Sequence, residues 1–280
     1  MLSGPRRAGV VGSPISHSLS PLLHGAAYAA LGLDGWTFTA QEVPAGGLRS
    51  YVEQLGPGWV GLAVTMPLKE EALALGTEVG PAARLAGAAN TLVRRDGGWL
   101  ADNTDVHGVV QALTEAGALA PRSATVLGGG ATARSTLVAL SELGVQEVTF
   151  RVRGDLRPGT AALAGQLGLR TRVVPLLTDP LVLDGAESQV VVSTLPPTAE
   201  PGPVLAPPDA VTPVVMDVVY RPWPSRFATA VREAAGGEGL PVARGTGMLL
   251  HQAVRQVELM TGHNGPVAAM RAALDGTGSQ

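Results

Sequence analysis

The sequence contains no cysteine, few aromatic residues (4%) and few charged residues (15%). The absence of cysteine excludes disulfides, Cys-ligated zinc, iron–sulfur clusters and a cysteine nucleophile. No stretch reaches the roughly 18 consecutive apolar residues that a membrane-spanning helix needs. The formal net charge of −3 gives no reason to expect nucleic acid or an anionic membrane as a partner. We therefore expect a soluble, cytoplasmic protein.

The 280 residues are enough for about two domains. Short apolar runs at 8–12 and 59–64 alternate with helical segments, which predicts an α/β layer with parallel strand pairing. A second, tighter alternation begins at residue 124, and a helix over 106–118 connects the two halves. Two helical segments, 248–260 and 266–273, follow the last strand of the second half. We expect this tail to return to the first half.

Lysine is almost absent, because nineteen of the twenty basic residues are arginine and the only lysine is Lys69. A guanidinium stays charged, whereas an ammonium can lose its proton when it is desolvated. Pro67 begins a predicted helix with Lys69 in its first turn, where the helix dipole disfavours a cation. Chance retention of one surface lysine is the alternative explanation. The unfavourable position favours a functional role for Lys69.

A glycine-rich turn between a predicted strand and a predicted helix has the spacing G-x-G-x-x-A. This spacing permits a tight turn and brings a helix N-terminus close to a pyrophosphate, so it predicts a dinucleotide site. The residues concerned are Gly128, Gly129, Gly130, Ala131, Thr132 and Ala133.

The residues after the next strand bear on which nucleotide binds there. An acidic residue at this point would accept hydrogen bonds from the ribose of NAD, whereas arginine accommodates the 2′-phosphate of NADP. Arg151, Arg153 and Arg157 favour NADP, although Asp155 keeps NAD open.

Short polar side chains cluster in the first half of the chain. Ser18 and Ser20 are spaced to hold a ligand carboxylate, although Ser20 followed by Pro21 is also a good helix N-cap. Asn90 and Asp105 lie in Asx/Thr clusters, which are most often turns. The two histidines near the serines, at 17 and 24, lack the partners of a metal set, and we expect no metal.

Seven short motifs occur in one order along the chain. They are Ser18-Leu-Ser20-Pro21-Leu-Leu-His24, Val64-Thr65-Met-Pro67-Leu-Lys69-Glu-Glu, Gly87-Ala-Ala-Asn90-Thr91, Asn103-Thr104-Asp105, Gly128-Gly-Gly130-Ala-Thr-Ala133-Arg134, Asp217-Val-Val-Tyr220-Arg-Pro222 and Gly245-Thr-Gly247-Met248-Leu-Leu-His-Gln252. Each is weak alone, but together they resemble the shikimate dehydrogenase family over essentially the whole length.

The resemblance implies an α/β protein of two domains. Residues 1–105 and 245–280 would form the substrate-binding and catalytic domain, and residues 106–244 a Rossmann-like NADP-binding domain. The implied activity is the reversible NADPH-dependent reduction of 3-dehydroshikimate to shikimate, a step of chorismate and aromatic amino-acid biosynthesis. Shikimate and 3-dehydroshikimate would be the small-molecule partners of a monomer or homodimer.

The resemblance also assigns roles to individual residues. Lys69 and Asp105 would be the catalytic pair, in which the lysine exchanges a proton with the reacting oxygen. The implied substrate-binding residues are Ser18, Ser20, Thr65, Asn90, Tyr220 and Gln252. The nucleotide would be held by the glycine turn, by Arg153 and Arg157, and by Gly245 and Met248.

Two alternatives remain open. Val152 stands where the family usually has asparagine, which leaves an NAD-dependent quinate or quinate/shikimate dehydrogenase of the same fold possible. A catalytically inactive NADP-binding sensor is the second alternative, although the presence of both Lys69 and Asp105 speaks against it.

Overall fold

The structure, a computed structural model, describes residues 5–237 and 240–277. Its strands are β1 (Arg6–Gly12), β2 (Trp36–Glu42), β3 (Trp59–Val64), β4 (Glu78–Val79), β5 (Thr91–Arg95), β6 (Gly98–Asp102), β7 (Ser123–Leu127), β8 (Glu147–Val152), β9 (Arg170–Pro175), β10 (Leu181–Val182), β11 (Val190–Ser193), β12 (Val204–Leu205), β13 (Val214–Asp217) and β14 (Val242–Arg244). Its helices are α1 (Ser20–Ala30), α2 (Leu48–Glu53), α3 (Lys69–Leu75), α4 (Pro81–Ala86), α5 (Thr104–Glu115), α6 (Ala131–Glu142), α7 (Pro158–Gln166), α8 (Arg226–Ala234), α9 (Gly245–Thr261) and α10 (Val267–Asp275).

The chain divides into two units. Unit 1 comprises the residues up to Gly108 and those from Leu249 onward, and unit 2 comprises Val109–Met248. The two divisions fall within α5 and α9, close to the junctions expected at 105–106 and 244–245. The roles expected for the two domains stay a prediction.

Unit 1 contains a six-stranded mixed sheet in the order β2-β1-β3-β5-β6-β4. β1 runs parallel to β2 and β3, as the sequence pattern predicts, whereas the hairpin β5–β6 is antiparallel and joins the sheet through β3. The carboxyl end of β1 is buried from Ala8 to Gly12, as expected for a strand covered on both faces. A Cβ at Gly12 would lie 2.3 Å from the Thr65 methyl carbon, so glycine allows β1 and β3 to end side by side.

Unit 2 contains six parallel strands in the order β14-β13-β11-β7-β8-β9, and β10 and β12 form a separate two-stranded sheet. All four residues of β11 are buried, which explains why this central strand reads as a continuous apolar run. The mixed α/β class predicted from the sequence is confirmed. None of the described helices is long and apolar enough to cross a membrane.

Three details differ from the sequence-based expectations. Ser20 is the first residue of α1 rather than its cap, because the N-cap position is Leu19 and no side-chain hydrogen bond caps it. α5 begins at Thr104 rather than at 106, so Asp105 lies inside its first turn. Five short elements, β4, α4, β10, β12 and β14, lack a pattern long enough to predict them.

Candidate active site

Lys69 and Asp105 form a short ion pair in unit 1. The Lys69 Nζ lies 2.6 Å from Asp105 Oδ2, and the two side chains are 13% and 7% exposed. Lys69 is the first residue of α3 and Asp105 lies in the first turn of α5. Since 36 residues separate them in sequence, only the fold brings them together.

The environment of α3 explains how a lysine is tolerated at a helix N-terminus. Glu70 and Glu71 follow it in the first turn, where acidic side chains complement the helix dipole. The Glu71 carboxylate accepts hydrogen bonds from the backbone N–H groups of Gly46 and Leu48. The unfavourable dipole at Lys69 is therefore offset by these acidic neighbours and by Asp105.

The second carboxylate oxygen of Asp105 is also held. Asn90 Nδ2 donates to Asp105 Oδ1 at 2.8 Å, and the Asp105 backbone N–H donates to Asn103 Oδ1 at 3.1 Å. Asn90 is 2% exposed and Asp105 is 5% exposed. With one oxygen on Lys69 and the other on Asn90, the carboxylate has a fixed orientation.

Gln252 reaches the same cluster from α9. Its Oε1 lies 3.3 Å from Asn90 Nδ2, and its Nε2 donates to the Leu249 carbonyl. The structure thus brings together four residues singled out from the sequence: Lys69, Asn90, Asp105 and Gln252.

Ser18, Ser20 and Thr65 belong to unit 1 but are not bonded to this cluster. The Ser20 backbone N–H donates to Ser18 Oγ at 3.3 Å, which places the two serines side by side at the start of α1. Thr65 directly follows β3. Within the described residues, no hydrogen bond joins their side chains to Lys69 or Asp105. Their substrate-binding role stays a prediction.

The glycine turn in unit 2 has the geometry that a pyrophosphate requires. Gly128 has φ +103°, and a Cβ there would lie 2.6 Å from Thr194 Oγ1. Thr160 Oγ1 donates to the Gly129 carbonyl at 2.9 Å and holds the turn. The N-cap of α6 is Gly130, with no side-chain hydrogen bond, so the first-turn N–H groups of 131–133 have no side-chain cap to compete with an anion. These residues fit the phosphates of a dinucleotide.

The arginines after β8 divide into two kinds. Arg153 and Arg157 are exposed, Arg157 at the N-cap of α7, and they fit an additional phosphate. Arg151 is buried, and its guanidinium donates to the backbone carbonyl of Asp179. Burial lowers its pKa. The expectation that all three arginines can face a phosphate is therefore wrong for Arg151, which instead holds the backbone at Asp179.

Tyr220 lies in unit 2 on a segment fixed at both ends. Asp217 accepts hydrogen bonds from the Ser225 hydroxyl and from the Val219 backbone N–H, and burial raises its pKa. The Arg244 guanidinium lies 3.5 Å from the Tyr220 carbonyl oxygen. The Tyr220 side chain is half-buried, and its proposed contact with a substrate stays a prediction.

Gly245 and Met248 begin α9. A Cβ at Gly245 would lie 2.0 Å from the Val218 carbonyl oxygen, so glycine is required there for backbone packing. Met248 is 7% exposed. Their expected contact with the nicotinamide stays a prediction.

Three further buried polar residues lie beside Asn90; Thr91 and Thr104 occur in the motifs without an assigned role, and Gln256 was missed in the sequence. Thr91, Thr104 and Gln256 are all buried and hydrogen-bonded to Asn90. Gln256 follows Gln252 by one helical turn, and this spacing was the available signal because it puts both amides on one face. His24, for which no metal role is expected, is buried and hydrogen-bonded to Gln256.

Comparison with known proteins agrees with this arrangement. Residues 10–92 match the model of the shikimate dehydrogenase substrate binding domain, and residues 245–274 match that of the shikimate 5′-dehydrogenase C-terminal domain. A shikimate dehydrogenase (NADP(+)) of Rubrobacter xylanophilus is 39% identical over 276 residues, covering 96% of this chain and 95% of the relative. The chain belongs to the shikimate dehydrogenase family.

Two solved shikimate dehydrogenases have the same fold. The enzyme of Mycobacterium tuberculosis superposes with a TM-score of 0.81 and 42% identity, covering 98% of this chain and 100% of the other. The enzyme of Thermus thermophilus, solved in complex with NADP(H) and shikimate, superposes with a TM-score of 0.77 and 32% identity, covering 96% of this chain and 98% of the other. The family resemblance drawn from the seven motifs is thus confirmed.

Proposed function

We propose that this chain is an NADP-dependent shikimate dehydrogenase, which reduces 3-dehydroshikimate reversibly to shikimate in aromatic amino-acid biosynthesis. The observation that carries the proposal is the pair of Lys69 and Asp105 at 2.6 Å in a chain of this family. Asn90 donates to Asp105 and also contacts Gln252. A cytoplasmic location and a monomeric or homodimeric state complete the proposal.

Lys69 handles the proton of the reacting oxygen. A bound nicotinamide nucleotide would supply the hydride acceptor for the oxidation and the hydride donor for the reduction. In the oxidation of shikimate, Lys69 would take up the hydroxyl proton as the hydrogen on the substrate carbon leaves as a hydride. In the reduction, Lys69 would give a proton to the oxygen as a hydride adds to the carbonyl carbon and the C=O double bond becomes a single bond. General acid–base help of this kind contributes about 10²–10⁴ in rate.

Asp105 and Asn90 orient the amine. Because Asp105 Oδ2 accepts one Lys69 N–H, the direction in which the remaining N–H bonds or lone pair point is restricted. The carboxylate is itself fixed by Asn90 Nδ2. Holding a proton donor in a defined direction lowers the entropic cost of reaching the transition state.

Ser18, Ser20 and Tyr220 are proposed to bind the substrate carboxylate, and Thr65, Asn90, Asp105 and Gln252 the ring hydroxyls. The two serine side chains lie at the N-terminus of α1, where backbone N–H groups favour an anion. This arrangement supports a carboxylate-bearing ring as the substrate class.

The nucleotide is proposed to bind unit 2. The first-turn N–H groups of α6 would hold the pyrophosphate, and Arg153 and Arg157 the 2′-phosphate of NADP. Both arginines are exposed. Arg153 directly follows β8 and Arg157 is the N-cap of α7, and cations at this point of the fold support NADP over NAD.

A steady-state assay with two substrates and two nucleotides tests the proposal. We expect the highest kcat/KM for shikimate with NADP⁺, measured as NADPH absorbance. A higher kcat/KM for quinate with NAD⁺ would instead assign a quinate dehydrogenase of the same fold. Tight NADPH binding with no shikimate-dependent reduction of either nucleotide would assign a sensor.

A further inference from the structure

Gln256 connects the candidate active site to a buried histidine. It lies on α9 one turn beyond Gln252, is 1% exposed, and bonds to His24 of α1 and to the start of β5. His24 is fully buried and stacks on Phe38, with ring centroids 3.8 Å apart and an interplanar angle of 13°. The roles proposed above use neither Gln256 nor His24.

The direction of each hydrogen bond at Gln256 is determined by its partners. The Asn90 backbone carbonyl can only accept, so the Gln256 atom 3.3 Å from it is the donor Nε2. Gln256 Oε1 therefore faces His24, and the Nε2 of His24 must carry the proton at 3.3 Å. Burial lowers the pKa of His24 to about 3, so the ring is neutral. Among the residues that the structure describes, its buried Nδ1 has no hydrogen-bond partner.

Further hydrogen bonds lead from Gln256 toward the ion pair. Gln256 Nε2 donates to Thr91 Oγ1 at 3.1 Å, which leaves the Thr91 hydroxyl proton for Asn90 Oδ1 at 2.8 Å. The Thr104 backbone N–H also donates to Asn90 Oδ1, at 2.7 Å. Both donors fix the Asn90 amide with its Nδ2 facing Asp105 Oδ1, 2.8 Å away.

We propose that Gln256 is a positioning residue which, through Thr91 and Asn90, sets the orientation of the Asp105 carboxylate beside Lys69. The donors run in one direction, from His24 through Gln256, Thr91 and Asn90 to the carboxylate. The proposal rests on the proposed function of the Lys69–Asp105 pair.

The expected effect follows from the chemistry of such a chain. Each hydrogen bond polarises the next in a buried, low-dielectric environment, and each fixes the rotation of the following group. Without the Gln256 donor, the Thr91 hydroxyl is free to turn and Asn90 loses part of its support. A misplacement of about 1 Å at a reacting group can cost about 10²-fold in rate, so we expect a partial loss of about tenfold in kcat.

The test uses substitutions that keep shape and remove polarity. Gln256→Met and Thr91→Val are each expected to lower kcat for shikimate oxidation by about tenfold, with the KM for NADP⁺ unchanged. Because both lie in one chain, the double variant is expected to lose about as much as either single variant. Thr261→Val removes a hydroxyl at the end of α9, which donates to the Val257 carbonyl and accepts from the His263 backbone N–H, and it is expected to leave kcat unchanged.

Thr91→Ser is the conservative variant, since it restores the hydroxyl, and it is expected to recover kcat to within about twofold of wild type. A kcat near wild type in Gln256→Met or Thr91→Val would overturn the proposal, whether or not the melting temperature falls. The proposal would also be overturned if the loss of kcat in the double variant equalled the product of the losses in the two single variants. Should Gln256→Met not fold, the contrast between Thr91→Val and Thr91→Ser decides.

A readout independent of turnover separates this proposal from the proposed function. Nitrogen-15 NMR of the wild-type protein at pH 5 is expected to show His24 neutral and protonated on Nε2. A charged ring or an Nδ1-protonated tautomer would overturn the hydrogen-bond direction. Wild-type protein without shikimate oxidation, but with this tautomer, would instead refute only the proposed function.

Discussion

The two units present their candidate functional groups in opposite ways. In unit 1 the side chains around Lys69 and Asp105 are mostly buried and hold one another through hydrogen bonds at 2.6–3.3 Å. In unit 2 the candidate anion-binding groups are backbone N–H groups and two exposed arginines, Arg153 and Arg157, which form no ion pair within residues 5–237 and 240–277.

The difference reflects two kinds of chemistry. A proton can be transferred only over a hydrogen-bond distance, so the group that transfers it must be oriented before the reaction. A phosphate dianion is attracted from any direction by free N–H groups and flexible cations, and it can order them as it binds. Substitutions in unit 1 should therefore change kcat, and substitutions in unit 2 should change nucleotide affinity.

The largest expected effect is at Lys69. Lys69→Ala and Lys69→Arg should both lower kcat by about 10²–10⁴, because neither alanine nor arginine can exchange a proton near neutral pH. The dissociation constant of NADPH, measured by fluorescence titration, should stay within about twofold of wild type. Normal turnover by the arginine variant would show that the pair serves only as an ion pair.

The next effect is at the arginines of unit 2. Arg153→Ala and Arg157→Ala should each raise the KM for NADPH by about tenfold, which corresponds to the loss of about 1.4 kcal/mol from a charge-assisted hydrogen bond. The kcat and the KM for NADH should not change, since NADH lacks the 2′-phosphate.

Arg172→Ala, at an exposed position on β9, is the matched control for these two variants. An equal rise in the KM for NADH would mean that Arg153 and Arg157 do not recognise the 2′-phosphate, and the contrast between the units would then rest on the glycine turn alone.

The third effect concerns the stability of unit 1 and leaves catalysis and nucleotide affinity aside. Burial lowers the pKa of His24 from 6.5 to about 3, so between these pH values the unfolded chain binds about one more proton than the folded chain. Between these pH values the contribution of His24 to the free energy of unfolding should rise by about 1.4 kcal/mol per pH unit. This contribution is fully present above pH 6.5 and is lost as the pH falls toward 3.

The free energy of unfolding of His24→Phe, measured by urea unfolding at several pH values between 4 and 6, should increase less steeply with pH than that of wild type. His17→Phe, at an exposed position, is the control and should keep the wild-type slope. Equal slopes for wild type and His24→Phe would mean that His24 is protonated in the folded protein.

Much of the fold could be predicted from the sequence where patterns are long. The parallel strands β1 and β3 contain apolar runs ended by glycine or a polar residue, β8 alternates polar and apolar residues, and α6 follows directly from the glycine turn. The short strands β4 and β10 could not be predicted, because two residues have no periodicity.

The candidate site was predictable only in part. Lys69 stands out by composition and Asp105 by its motif, yet nothing in the sequence shows that they touch. The three arginines after β8 look alike in sequence, and only the structure shows Arg151 buried against the Asp179 loop. Gln256 was missed because its one-turn spacing from Gln252 does not show that its partners are His24 and Thr91, which lie far away in sequence.

The order of the amino acids alone fixed which groups were available: one titratable amine, no thiol, a turn that only glycine can form, and cations ahead of α7. Which groups meet was decided by chain segments far apart in sequence, because hydrogen bonds and ion pairs act over about 3 Å. The support of Asp105 by Asn90 and the neutral state of His24 both depend on burial and on hydrogen-bonding neighbours. These neighbours come together only when α1, β5, α5 and α9 pack.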